Sequence, residues 1–235
     1  VVSTAAVALK PQQEANKARD LKRNILMAGG LYDPERSVEE QFVTIQPRVV
    51  DIDTGLFVDD VDPALFDQRK SAKDPTQSRT LSGDEDSAKI LRRENRAIVY
   101  LVNDEAGALD RIILPIRGYG LWSTLYGFVA LESDANTIVG LGFYEHGETP
   151  GLGGEVDNPS WKAKWSGKLA YKNAYVAISV IKGAVNPAAA DAPWQVDGLS
   201  GATLTTKGVH NHVQYWIGVD GFAPSLVHLR GGYAS

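Results

Sequence analysis

The sequence predicts an α+β fold, an antiparallel sheet with flanking helices. Three observations carry that expectation. Residues 97–102 and 111–116 are β-branched runs around Asp104-Glu105-Ala106-Gly107, a turn composition, so they read as one hairpin. Residues 126–132 and 137–145 repeat the arrangement around Ser133-Asp134-Ala135-Asn136. Helical runs follow at 158–165 and 205–217, and strands in hairpins with helices between them favour antiparallel pairing.

Val1–Leu9 is small, apolar and uncharged, and Lys10-Pro11 ends the run. It is too short to cross a bilayer, which takes about 20 residues, so it reads either as a frayed apolar N-terminus or, since a charged helix follows directly, as the end of a longer apolar anchor, the reading favoured here. Residues 12–28 are rich in helix formers, with Leu21, Ile25 and Leu26 as an apolar stripe and Gly29-Gly30 as a stop. Residues 1–30 are therefore expected to be the end of a membrane anchor and a juxtamembrane helix. Lys17, Arg19, Lys22 and Arg23 read as its solvated face. Residues 31–95 are polar and acidic, as at Asp59-Asp60-Val61-Asp62 and Asp84-Glu85-Asp86, and are expected to pack on or insert beside the core. Within them, 42–45 and 49–52 read as strands and 67–86 as a surface excursion. Residues 96–235 form the main domain, with a fifth strand at 175–181 and a last helical turn at 224–229.

The 235 residues are 43% apolar and 23% charged, an ordinary globular balance, and the net charge of −5 gives no support to a nucleic-acid partner. Cysteine is absent, which excludes thiolate-bound iron–sulfur clusters, Cys-ligated zinc, a catalytic Cys and disulfides. Redox work by such a chain needs a bound cofactor. His210 and His212 are two apart on a helical run and point to different faces, so no His metal site is expected. The phosphate fingerprints G-x-x-x-x-G-K-[ST] and G-x-G-x-x-G are missing, as are H-E-x-x-H and G-x-S-x-G. No acid, base and nucleophile constellation marks a free-standing enzyme.

Two segments stand out. Asp197-Gly198-Leu199-Ser200-Gly201-Ala202-Thr203-Leu204-Thr205-Thr206 places small residues and hydroxyls at the start of a helical run near Thr203. Helix N-termini present unpaired N–H groups and partial positive charge, where phosphate settles readily. On the residues alone, a phosphate site and an ordinary Ser/Thr helix cap stand level. His146-Gly147-Glu148-Thr149-Pro150-Gly151-Leu152-Gly153-Gly154 is a glycine-rich loop after a strand, either a close wrap for a flat ring or a complex turn.

Together the two segments carry a resemblance. Asp-Gly-Leu-Ser-Gly-Ala-Thr resembles the recognition motif of proteins that receive FMN covalently from a flavin transferase, and Gly-Glu-Thr-Pro-Gly-Leu-Gly resembles the flavin-wrapping loop of the same FMN-binding domain family. Residues 117–127 and Asn158–Trp165 are similar to the C subunits of the bacterial sodium-translocating NADH:quinone reductases. The resemblance covers most of the chain after about residue 97, and residues 33–95 carry no family motif. It implies FMN held through a phosphoester on Thr203, and an electron-transfer role beside other subunits that pass electrons from NADH to quinone and pump sodium. It further implies a flavin transferase as maturation partner, one N-terminal transmembrane helix in the bacterial inner membrane and a periplasmic domain. Leu199, Ser200, Gly201 and Ala202 would shape the phosphate site, and Asp197 would belong to the transferase motif. Glu148, Thr149, Gly151 and Leu152 would line the flavin. Trp122 is a ring contact or a core residue, and Lys168 and Lys207 are phosphate counter-charges or solvated. No catalytic residue and no metal are implied. The ring would lie between the 148–152 loop and the helix start, partly open, with Gly153 and Gly154 as a low surface for a partner. The competing readings are the G subunit of the related Rnf ferredoxin:NAD oxidoreductase and a flavin-free, membrane-anchored binding module.

Overall fold

The computed structural model describes residues 2–230. The chain runs α1 (Val2–Ala28), α2 (Val38–Phe42), β1 (Ile45–Asp51), α3 (Gln68–Lys73), β2 (Ser78–Thr80) and β3 (Arg92–Glu94). The long strands follow: β4 (Arg96–Asn103), β5 (Leu109–Tyr119), β6 (Thr124–Glu132) and β7 (Ile138–Glu145). Then come α4 (Pro159–Lys162), β8 (Tyr171–Lys172), β9 (Tyr175–Val176), β10 (Ser179–Val180), β11 (Gln195–Val196), α5 (Thr203–Ile217) and α6 (Ala223–Arg230). The principal sheet has the order β1-β4-β5-β6-β7 and is antiparallel throughout. β5 and β6 pair from Arg111↔Glu132 to Tyr119↔Thr124.

Side-chain alternation sorts the strands into two faces. In β6, Leu125, Val129 and Leu131 join the core beneath α5, with Val209, Val213 and Trp216. Phe128 and Ala130 join the opposite core, beneath Ile25, Leu26 and Ala28 of α1. Both faces are covered, so these strands read as nearly continuous apolar runs.

The seating of α5 on β5 fixes the site described below. A Cβ on Gly118 would stand 2.2 Å from Cβ of His212, and one on Gly208 would stand 2.5 Å from the carbonyl of Tyr119. Backbone and helix meet where no side chain fits between them, and this sets the first turn of α5 against the β5–β6 turn. His212 is fully buried, packs edge-on against Phe143 and finds no hydrogen-bond partner for either ring nitrogen. Burial lowers its pKa from 6.5 to about 3. Between those values the unfolded chain binds the extra proton and the folded chain does not. Stability is therefore lost as pH falls below about 6.5, by about 1.4 kcal/mol per pH unit. His212→Leu removes this term. Between pH 7 and pH 5 the variant is expected to lose about 2 kcal/mol less than the parent. Thermal melts at the two pH values read the difference, and equal acid losses would contradict it.

The structure departs from the sequence reading at several places. Residues 42–45 are not a strand. Ser37 and Glu40 form a capping box that carries α2 to Phe42, and the strand opens at Ile45. That strand is the sheet edge, where Pro47 is tolerated. The strand expected at 175–181 is broken. β8 and β9 form a tight hairpin through Asn173 and Ala174, both at positive φ, and β10 then pairs in parallel with β11. The 67–86 excursion holds α3 and β2 and buries Ser71, Ala72, Ser78 and Leu81.

The stop at Gly29-Gly30 is a Schellman ending. Leu31 N–H donates to the Leu26 carbonyl (2.8 Å) and Gly30 N–H, at φ +63, to that of Met27 (3.1 Å). α1 continues N-terminally through Pro11. Among the described residues no helix is long and apolar enough to cross a membrane. Val1 of the apolar run lies outside the described residues.

Candidate functional site

Two segments meet at the N-terminal end of α5. The loop after β7 closes on itself, the Thr149 carbonyl accepting from Leu152 N–H (3.1 Å) and Gly154 N–H (2.9 Å) across Gly151 at φ +74. Glu148 N–H donates to Nδ1 of His146 (3.2 Å), so Nε2 carries the proton toward the Asp157 carboxylate at 2.8 Å. The Glu148 side chain turns inward. Its Oε1 accepts from the N–H groups of Leu121 (3.1 Å), Trp122 (3.0 Å) and Ser123 (3.2 Å). Its Oε2 accepts from the Thr205 hydroxyl at 2.7 Å. Burial pushes this carboxyl up, but the Thr205 hydroxyl and the three amides outweigh it and hold the group below the usual carboxylate range. Ser123 ties the same turn from its other side, its hydroxyl accepting from Gly147 N–H at 2.7 Å.

The second segment is the turn before α5. The Asp197 carboxylate accepts from Lys164 Nζ and from Val185 N–H (2.9 Å), and its carbonyl accepts from Trp161 Nε1 (2.8 Å). Gly201, at φ +71, turns the chain into the helix. Ala202 is the N-cap and no side chain caps the helix. The first N–H that the helix itself satisfies is that of Thr206, on the Ala202 carbonyl (2.9 Å). The amides of Thr203, Leu204 and Thr205 thus form an uncapped, partly positive end.

The hydroxyls around this end differ in access. Thr205 is buried on Glu148, and Thr206 is buried accepting from Leu199 N–H at 3.0 Å. Thr203 is exposed at the first helical position, and Ser200 is exposed in the preceding turn. Leu152 Cδ2 lies 3.1 Å from where a Cβ on Gly201 would stand, so the loop and the turn touch.

Of the residues singled out in the sequence, Thr149, Gly151, Leu152, Ser200, Gly201 and Thr203 sit on this exposed surface, with Leu199 and Ala202 buried beneath. Trp122 is 66% exposed and is not a core residue. Lys207 is exposed one helical turn after Thr203, while Lys168 Nζ donates to the Ala192 carbonyl (2.9 Å). Gly153 is not an open surface. It is buried, and a Cβ there would stand 2.5 Å from Thr205 Oγ1.

Sequence reasoning missed Thr205, Ser123, Leu204 and Tyr119. The last two are large apolar side chains left 58% and 39% exposed near the helix start. A hydroxyl two residues after Thr203 was a visible signal for Thr205; nothing in the sequence marks the exposure of the other two.

A cavity of about 610 Å³ lies elsewhere, on the α1 side of the sheet, over Tyr100, Phe128 and Tyr144. Its arginines are already paired, Arg69 with Glu145 (2.9 Å) and Arg117 with Glu94 (2.6 Å).

A glycine loop closes on an uncapped helix start beside an antiparallel sheet, an arrangement whose open amides suit an anionic group. The FMN-binding domain family model matches residues 120–218, which take in both segments. The C subunit of the Na(+)-translocating NADH-quinone reductase from Pseudomonas aeruginosa is 53% identical, over 99% of this chain and 91% of that protein. Its counterpart from Vibrio vulnificus is 49% identical, over 99% and 90%. The crystal structure of Shewanella oneidensis NqrC superposes with a TM-score of 0.85 at 37% identity, covering 93% of this chain and 100% of that one. The crystal structure of the Parabacteroides distasonis C subunit gives a TM-score of 0.70 at 26% identity, covering 96% and 98%. The chain belongs to the family of C subunits of the Na(+)-translocating NADH-quinone reductase. The relatives favour this family over the Rnf G subunit and the flavin-free module.

Proposed function

We propose that this chain carries one FMN, joined by a phosphoester to Thr203, and passes electrons within a sodium-translocating NADH:quinone reductase. The observation that carries the reading is Thr203, an exposed residue at the first position of an uncapped helix, beside the 148–154 loop. The open amides and the helix dipole suit a phosphate group. Lys207, one turn on, suits its remaining negative charge. Trp122, Leu152 and Leu204 offer apolar surface to a flat ring. Attachment is a displacement at phosphorus on an activated, diphosphate-linked flavin donor: Thr203 Oγ forms the new P–O bond, the P–O bond of the diphosphate bridge breaks, and the departing phosphate monoester takes the hydroxyl proton. A link through the ribityl phosphate leaves the ring's electronics almost untouched and keeps the flavin at a partly open site.

In this reading the other subunits supply the electron donor and acceptor, and a flavin transferase loads Thr203. The apolar run before Lys10 continues a single-pass anchor in the bacterial inner membrane, with the domain on the periplasmic side. Protein made together with a flavin transferase is expected to stay yellow after denaturation and desalting and to fluoresce in a denaturing gel. Colourless protein of unmodified mass from such a host would overturn the reading.

A further inference from the structure

We infer that the buried negative charge of Glu148, locked by Thr205 and the 121–123 amides at the joint of the two flavin-site segments, holds the reduction potential of the flavin down. The inference rests on the reading that FMN is carried at Thr203.

Glu148 is 5% exposed, and the groups that hold its charge are N–H and O–H donors with no cation among them. A buried carboxylate without a cationic partner is uncommon. The chain makes room for it from two sides: a Cβ on Gly120 would stand 2.6 Å from Oε1, and one on Gly153 would stand 2.8 Å from Oε2. The hydrogen bonds alone do not require an acid. A glutamine would accept the three amides at its carbonyl and donate from its amide to a rotated Thr205 hydroxyl. What a glutamine lacks is the charge. That charge sits one residue from Thr149 in the loop, and on the hydroxyl of Thr205 in the first turn of α5. Electrons arriving on a nearby flavin meet a fixed negative charge, which disfavours reduction. Thr205 sharpens the effect in the other sense. Its hydrogen bond draws charge off Oε2 and helps keep the carboxyl ionised against burial, so at alkaline pH, where the carboxyl stays ionised without it, losing the hydroxyl strengthens the field of the carboxylate.

Two variants therefore move the potential in opposite directions, which simple loosening of the site does not do. The experiment is an equilibrium redox titration, at alkaline pH where Glu148 is ionised with or without the Thr205 hydroxyl, of the full chain loaded by the transferase, beside melting curves of the unloaded chain. Glu148→Gln is expected to raise the midpoint potential and Thr205→Val to lower it, both with covalent flavin present. Shifts in the same direction, or no shift in either, overturn the inference. If Glu148→Gln fails to fold, a potential in Thr205→Val at or above that of the parent overturns it by itself. Absence of covalent flavin from the parent chain is a distinct outcome, which removes the reading at Thr203 and this inference with it.

Discussion

Thr203→Ala, produced beside the flavin transferase, is expected to fold as the parent does and to carry no covalent flavin. The two halves of that expectation have separate causes. Thr203 is exposed at the first helical position, and alanine is the better helix former, so stability should change by no more than about 0.5 kcal/mol. Flavin is lost because the neighbouring hydroxyls cannot stand in. Thr205 is buried and donates to Glu148 at 2.7 Å, and Thr206 is buried with its oxygen on the Leu199 amide at 3.0 Å. Ser200 is exposed but lies in the turn before Gly201, off the helix end. Thr203→Ser keeps a hydroxyl at the same atom and is expected to accept FMN. Denaturing-gel fluorescence and a melting curve on the same samples separate the causes. Covalent flavin in Thr203→Ala would contradict the expectation, and so would a variant that loses flavin because it has unfolded.

Glu94→Ala should be the most destabilising of the substitutions considered. The Glu94 and Arg117 side chains are 1% and 14% exposed and meet at 2.6 Å, joining β3 to β5. Gln68 donates to the other Glu94 oxygen at 2.8 Å, and Arg117 also donates to the Arg92 carbonyl at 2.9 Å. The same arginine's backbone carbonyl accepts from Trp216 Nε1 at 2.7 Å, so α5 leans on this joint as well. Removing the acid leaves a nearly buried guanidinium without its counter-charge, which costs about 3–5 kcal/mol. For a chain of this size that corresponds to a fall on the order of 10 °C in Tm. Replacing both partners by methionine should recover most of the loss, because the cost lies in the orphaned charge rather than in the missing pair. An unchanged melting temperature in Glu94→Ala would show that water reaches the arginine and that the joint carries little.

The sheet was legible because its hairpins announce themselves locally. Asp104-Glu105-Ala106-Gly107 and Ser133-Asp134-Ala135-Asn136 are turn compositions between β-branched runs, and turn chemistry depends on neighbours in sequence. α5 was legible for the same reason. The misreadings fall where a distant or subtle partner decides. Phe42 looks like the start of a strand until Ser37 and Glu40 are recognised as a capping box that draws it into α2. Tyr175–Ile181 has strand composition, yet Asn173 and Ala174 at positive φ fold its beginning back onto β8.

At the site, the sequence marked two segments that the structure brings together and hid their arrangement. Glu148 reads as one more acid on a flexible loop, because its donors lie 25 to 27 positions earlier and 57 later. Gly153 reads as surface because the helix that fills the space beside it comes about fifty residues on. Exposure of Trp122 is a property of the assembled surface and has no local signature.

The central claim is that the phosphoryl group of FMN sits on the oxygen of one threonine. It is tested most directly by proteolysis and tandem mass spectrometry of the parent chain made with the flavin transferase. The peptide spanning residues 197–206 is expected to gain the mass of FMN less one water, with the fragment ions placing it on Thr203. The same peptide unmodified, or the added mass on Ser200, Thr205 or Thr206, would contradict it.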